Sequence, residues 1–325
     1  MRTFSVPDTS SGPRSVRLSA LLARGPVILD GAMGTELDAR GVDTRNALWS
    51  ALALTAAPDV VREVHTDYLD AGARVITTNT YQATLPALCH CGYDAAQARE
   101  IIAAGARLAQ EAARRFEAGH PEALVLVAGG LGPYGAYLAD GSEYTGAYDV
   151  DVPGDPRFRE VHQPRIEALV GEGVELFALE TLPRLDEARA LVAMVKALAP
   201  RVECWVSFQV QPDGDRLADG SPLTEVAAWA EGEDMVVAVG LNCVAPDAVG
   251  RALTVLRAAT GKPLVAYPNA GDLYDPVTKT WRAAGQGAGL GVLAPSWIAA
   301  GARLVGGCCR TRPTQIRELA CAVGA

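Results

Sequence analysis

The chain has 325 residues, 49% of them hydrophobic and 21% charged, with a formal net charge of −9. That balance argues against a nucleic-acid footprint, and no stretch approaches the ~18 consecutive apolar residues of a membrane span. Residues 1–17 are polar and rich in serine and proline, without the apolar centre of a secretion signal, so they are expected to be a flexible lead-in to a single domain over 18–325 in a cytoplasmic protein. Seven cysteines in such a chain point to thiols and metal, not to disulfides.

In chain order, the pattern is strand, loop, helix, repeated. Pro26–Asp30 reads as a short buried strand. After a long loop, Val60, Val61, Val64, Tyr68 and Ala71 mark one helical face, which Gly72 stops. Arg74–Thr78 is a second strand and Ala95–Phe116 a long alanine-rich helix. Leu124–Ala128 is a third strand running into the glycine-rich stretch Gly129–Gly135, and Arg157–Val170 the next helix. The series continues with strand Glu175–Glu180, helix Leu185–Leu198, strand Cys204–Gln209, helix Thr224–Ala230, strand Met235–Leu241, helix Pro246–Ala259 and strand Pro263–Tyr267. A short helix over Pro295–Ala300, an eighth strand at Leu304–Val305 and a helix opening at Pro313, with Ile316, Leu319, Ala320 and Val323 facing the core, complete it. Eight strand–helix units with nearly all-apolar strands predict an α/β fold, a single-domain (β/α)8 TIM barrel.

In such barrels the active site lies at the carboxyl ends of the strands. Those ends carry Asp30, Thr78, Glu180, Asn242, Cys243, Asn269, Cys308 and Cys309. Two apolar runs end alike, in Gly240-Leu241-Asn242-Cys243 and in Gly306-Gly307-Cys308-Cys309-Arg310. Glycines clear side chains where something must approach the backbone, and adjacent cysteines rarely pair with each other. Three cysteines on two strand ends of one barrel mouth suit a three-sulfur zinc with one open position, the arrangement of a catalytic zinc. The plain alternative is three inert buried thiols. A zinc with three thiolates is a poor Lewis acid but binds a fourth thiol and keeps it deprotonated at neutral pH. The expected chemistry is alkyl transfer to a substrate thiol from a cationic donor, without a general acid or base.

Asp30 and Glu180 suit the ammonium of an amino acid; the alternatives are an Asp-Gly turn and a solvated loop acid. Gly129–Gly135 lacks the lysine and the spacing of a nucleotide-binding loop, so a substrate-hugging loop or a tight turn is expected. Cys89 and Cys91, flanking His90, read as structural. Cys204 and Cys321 are placed in the core, and His65, His120 and His162 on helix or loop surfaces.

Asp30-Gly31-Ala32-Met33-Gly34-Thr35-Glu36-Leu37 and the two cysteine motifs resemble the homocysteine S-methyltransferase family over about Ile28–Ile316. The stretches Gly132–Tyr144 and Tyr267–Gly271 resemble its cobalamin-independent branch, which uses S-methylmethionine, or S-adenosylmethionine less well, as methyl donor. The resemblance implies that Cys243, Cys308 and Cys309 hold Zn2+. It also implies that Asp30, Gly31, Thr78 and Glu180 hold L-homocysteine, the acids taking its amino group; Asn242 joins the expected substrate-binding set. The betaine-using branch has a tyrosine after the matching glutamate, where this chain has Thr181, which counts against betaine. The chain lacks the Asp-x-His-x-x-Gly pattern of a cobalamin-binding loop, and no folate or cobalamin module is expected. Partners are expected to be small molecules only, in a monomer. Two alternatives stand beside this reading: the same chemistry on another acceptor such as selenocysteine or with betaine, and a non-catalytic zinc- or thiol-buffering protein, which would have no use for Asp30 and Glu180.

Overall fold

A computed structural model of the chain describes residues 16–44, 46, 48–152, 154–275, 280–282 and 288–324. The expected lead-in therefore falls almost wholly outside the described residues. Eight parallel strands carry the fold: β1 (Val27–Ile28), β2 (Val75–Thr77), β3 (Leu126–Leu131), β4 (Leu176–Leu182), β5 (Glu203–Phe208), β6 (Val236–Asn242), β7 (Leu264–Tyr267) and, after a separate antiparallel hairpin of β8 (Leu273–Asp275) and β9 (Thr280–Arg282), β10 (Ala302–Val305). Their order is β1-β10-β7-β6-β5-β4-β3-β2. The ring closes where Leu29 bridges Val75, with Asp30 N–H donating to Val75 O (3.1 Å) and Arg74 N–H to Ile28 O (2.8 Å). An outer helix completes each strand–helix unit: Pro58–Asp70, Ala95–Gly119, Pro156–Gly171, Leu185–Leu198, Leu223–Glu231, Pro246–Ala259, Leu290–Ala299 and Pro313–Val323, with shorter helices in the connections after β1, β2 and β3. The predicted single-domain (β/α)8 barrel is the structure.

Alternation along the strands builds two cores. Val27, Leu29, Val75, Ala128, Leu176, Ala178, Trp205, Ala238, Val265 and Leu304 point into the barrel and fill it. Their neighbours Ile28, Ile76, Phe177, Leu179, Val206 and Leu241 point outward and pack under the helices. Burial on both faces is why these strands are apolar throughout. A short helix over Leu18–Leu22, not foreseen from the sequence, puts Leu18 and Leu22 into the interior core. Ser19 hydrogen-bonds there to the carboxylate of Glu203, which opens β5. The carboxyl-terminal mouth is left for the site.

Several details differ from the sequence reading. β3 continues through Gly129–Leu131, because those glycines let β3 pack closely: a side chain at Gly129 would meet Leu169 and Phe177 at 3.0 Å, and one at Gly130 would meet Thr77 at 2.9 Å. Gly129–Gly135 is thus packing, not a loop around a ligand. The helix before β10 begins at Leu290, ahead of Pro295, which it accommodates internally. Cys204 is buried as expected, but Cys321 lies on the exposed face of its helix. His65 and His162 are fully buried, not on the surface. His162 accepts from Arg165 through Nδ1 (2.8 Å) and faces Glu187 through Nε2 (3.3 Å), so a neutral ring with its proton on Nε2 satisfies both partners.

Candidate metal centre and substrate pocket

Cys243 directly follows β6 and takes a left-handed backbone, φ 53°, that turns its side chain into the mouth. Its N–H donates to Tyr267 O on the neighbouring strand (3.1 Å). Three residues earlier, a Cβ on Gly240 would overlap the carbonyl of Val265. The second limb is stitched in the same way: Gly306 N–H donates to Ala266 O (3.2 Å), Gly307 N–H to Asp30 O (3.1 Å) and Cys308 N–H to Pro268 O (2.8 Å). A Cβ on Gly306 would lie 2.5 Å from that of Leu29, and one on Gly307 would run into Thr311. The glycines of both motifs let each cysteine-bearing end sit tight against its neighbours.

The three sulfurs of Cys243, Cys308 and Cys309 lie within 4.8 Å of one another, and Cys243 and Cys309 are 3.5 Å apart. Tetrahedral zinc with Zn–S of ~2.3 Å separates its sulfurs by roughly 3.8 Å, so the cluster fits a three-sulfur site with little adjustment. It is the one such group of potential ligands among the described residues. Hydrogen bonds from Cys308 and Cys309 hold the Cys243 thiol well below its ordinary range, while that same sharing pushes Cys308 and Cys309 up. Around them, the Tyr144 hydroxyl lies 3.9 Å from Cys243 Sγ and the Asn242 amide 3.9 Å from Cys308 Sγ.

These sulfurs line a cavity of about 360 Å3 together with Asp30, Gly31, Thr78, Glu180 and Thr181. Asp30 is buried, and its carboxylate accepts from Thr77 N–H (2.7 Å). Burial still pushes its pKa up to about 7. Glu180 is pushed up to about 8, by burial first and then by Cys308 and Asp30. Its Oε2 accepts from the hydroxyl of Tyr267 (3.2 Å), which in turn accepts from Trp205 Nε1–H (3.0 Å) and pairs with Ser207 Oγ (2.5 Å) inside the barrel. Thr78 Oγ1 accepts from Gly130 N–H (3.0 Å) and pairs with Thr80 Oγ1 (2.6 Å). A side chain on Gly31 would meet Thr311 and Tyr68 at 2.8 Å. Asn242 reaches the same strand end but is fully buried. Its amide is engaged by Thr181, accepting from Thr181 N–H (2.7 Å) and donating to Thr181 Oγ1 (2.8 Å), so it backs the pocket wall.

The sequence reading brought the three cysteines, Asp30, Thr78 and Glu180 to one mouth, and they meet there. It assigned no role to Tyr144 or Tyr267, although both fall in stretches it singled out. Backbone strain was a further signal that sequence could not supply. Trp49, Ala139, Thr181, Cys243 and Arg310 are the non-glycine residues with left-handed φ among the described residues, and all five line this cavity. Such conformations cost about 1–3 kcal/mol each and gather at functional sites.

The sequence profile of the homocysteine S-methyltransferase family matches residues 27–323. The chain is 47% identical to homocysteine S-methyltransferase of Escherichia coli over 93% of this chain and 97% of that protein. It is 35% identical to selenocysteine methyltransferase of Astragalus bisulcatus over 90% of each. The crystal structure of the homocysteine methyltransferase MmuM from Escherichia coli in its metallated form superposes with a TM-score of 0.82 at 44% identity, covering 92% of this chain and 97% of that one.

Proposed function

The chain belongs to the homocysteine S-methyltransferase family, and from that premise we propose that it moves a methyl group from a sulfonium donor, S-methylmethionine ahead of S-adenosylmethionine, to the thiol of L-homocysteine, giving methionine. The observation that carries the reading is three converging sulfurs at a barrel mouth beside two carboxyls of raised pKa. Cys243, Cys308 and Cys309 would hold Zn2+, which supplies a centre that keeps a substrate thiol deprotonated at neutral pH.

The chain's own residues account for the rest. Burial raises Asp30 to about 7 and Glu180 to about 8, so both sit at the threshold of ionisation. An arriving ammonium ionises them and is held by them, which fixes the amino acid and orients its thiol. Thr77 fixes the Asp30 carboxylate and Tyr267 that of Glu180, so neither must be ordered on binding. The walls carry four acids, Asp30, Asp38, Glu143 and Glu180, a setting that favours a cationic donor. In the transfer the donor's methyl–sulfur bond breaks as the acceptor's sulfur–methyl bond forms, and a neutral thioether leaves. Charge is neutralised and no acid is needed, in keeping with walls that carry no histidine among the described residues. A selenol acceptor differs at one atom, so the same site would serve selenocysteine, the acceptor named for one relative.

Among the described residues no helix is long and apolar enough to cross a membrane. All seven cysteines are free. A centre made of three thiols needs a reducing compartment, which supports the cytoplasm as the place of work. The test is an assay of the purified protein with homocysteine and each donor in turn. S-methylmethionine is expected to give the fastest methionine formation and betaine and methylfolate none. Failure of every donor would move the thiol-buffering alternative to the front.

A further inference from the structure

We propose that Arg310 is the carboxylate-recognising residue of this pocket, its guanidinium receiving the α-carboxylate of an amino-acid substrate. The inference rests on the reading above. Both substrates of that reaction are amino acids or carry one, so each brings an ammonium and a carboxylate. The cavity offers acids for the ammonium groups, but among its described lining residues Arg310 alone is basic. A carboxylate entering a pocket with Asp30, Asp38, Glu143 and Glu180 on its walls is repelled unless a cation meets it.

Arg310 is placed for that task. It follows Cys309 directly, so its side chain starts one residue from the metal-holding sulfurs. Its backbone N–H donates to Thr35 Oγ1 (3.1 Å), and its guanidinium forms an ion pair with Asp272, Nε–H donating to Oδ2 (2.9 Å). The second bond aims the guanidinium while using one of its five donors. The side chain is 42% exposed, a position at the rim where substrates enter. Its backbone supplies an independent sign. At φ 67° a glycine would sit without strain, yet the chain places a long cation there, one of the five left-handed non-glycine residues of this cavity.

The same strain makes the test clean, because Arg310→Gly removes the guanidinium while relaxing the backbone. The acceptor arm compares homocysteine with 3-aminopropane-1-thiol, which lacks the carboxylate. The donor arm compares S-methylmethionine with the (3-aminopropyl)dimethylsulfonium ion, its decarboxylated counterpart. For the substrate whose carboxylate Arg310 receives, KM is expected to rise roughly 10- to 100-fold in the variant, the scale of a lost charged hydrogen bond, with kcat within about threefold. On the matching carboxylate-free compound, variant and native protein are expected to agree within about twofold. The arm that shows this split identifies which substrate is held. Arg310→Gln, run in parallel with metal analysis, controls for damage to the centre. An unchanged KM for both full substrates, an equal loss on the carboxylate-free compounds, or metal loss in both variants would overturn the proposal. Inactivity of the native protein with every donor would instead overturn the methyl-transfer reading.

Discussion

Cys243 faces its partners on a left-handed backbone, a strain that a metal held by the three sulfurs would offset. Removing its sulfur leaves Cys308 and Cys309 as a two-ligand site, so Cys243→Ser is expected to shed metal and abolish turnover while the barrel stays folded. Elemental analysis beside circular dichroism checks both halves, and full activity without metal would refute the assignment. Glu180 is proposed to hold the substrate instead. Glu180→Ala should weaken homocysteine binding by ~2–4 kcal/mol with metal content unchanged, since a buried ammonium loses a charged partner; unaltered kinetics would return Glu180 to the status of a wall acid. Asp30 makes a pH prediction. Its carboxyl is raised from 3.8 to about 7 by burial, so folding favours the neutral form. Its contribution to stability is full below about pH 4 and is lost as pH rises through about 7. In metal-free protein, the melting temperature of Asp30→Asn should therefore gain on that of the native chain between about pH 4 and pH 8. A gap independent of pH would show that Asp30 ionises as readily as in the unfolded chain.

Strand ends are where the elements become chemistry, and two devices hold them. Glycine lets β6 sit against β7, so Gly240→Ala forces a methyl into the Val265 carbonyl and moves the strand that carries Cys243. The expected cost is ~3 kcal/mol or more with loss of metal, read from denaturant unfolding and metal content. A fully buried arginine is the other device. Arg165 donates to Tyr81 O (2.6 Å) and Gly132 O (2.9 Å), tying the segments after β2 and β3 together. How much of this was legible follows from period and end signals. The helices Leu185–Leu198 and Pro246–Ala259 emerged with their bounds intact, because apolar spacing and, for the second, an opening proline mark them locally. The cysteines were legible as a cluster because parallel topology brings the carboxyl ends of all eight strands, β6 and β10 among them, to one mouth. Arg165, His162 and Glu187 were not, since a charged residue on a helix reads as solvated until its partners on other elements are known. Asn242 and Thr181 were singled out, but not their pairing: they serve the site by bonding to each other across 61 positions of sequence, which no local pattern records.

At the scale of the molecule, the barrel separates stability from chemistry along its axis. Three sulfurs, two raised carboxyls and five strained backbones sit at the carboxyl-terminal mouth, all of them costs to folding. The filled interior and the amino-terminal helix lie away from them. Leu18 is 1% exposed and packs into the core that Val27, Leu176, Trp205 and Leu304 build. Truncating it opens a cavity no neighbour can close, because strands fixed by hydrogen bonds on both sides do not collapse inward. Leu18→Ala is therefore expected to cost ~2–5 kcal/mol, lowering the denaturant midpoint. KM for both substrates and metal content should stay within error, since the lost contacts are at the opposite end from Cys243 and Glu180. A changed KM in this variant would mean that the interior core transmits strain along the strands to the mouth, through Trp205, whose Nε1–H donates to the Tyr267 hydroxyl (3.0 Å) that in turn donates to Glu180.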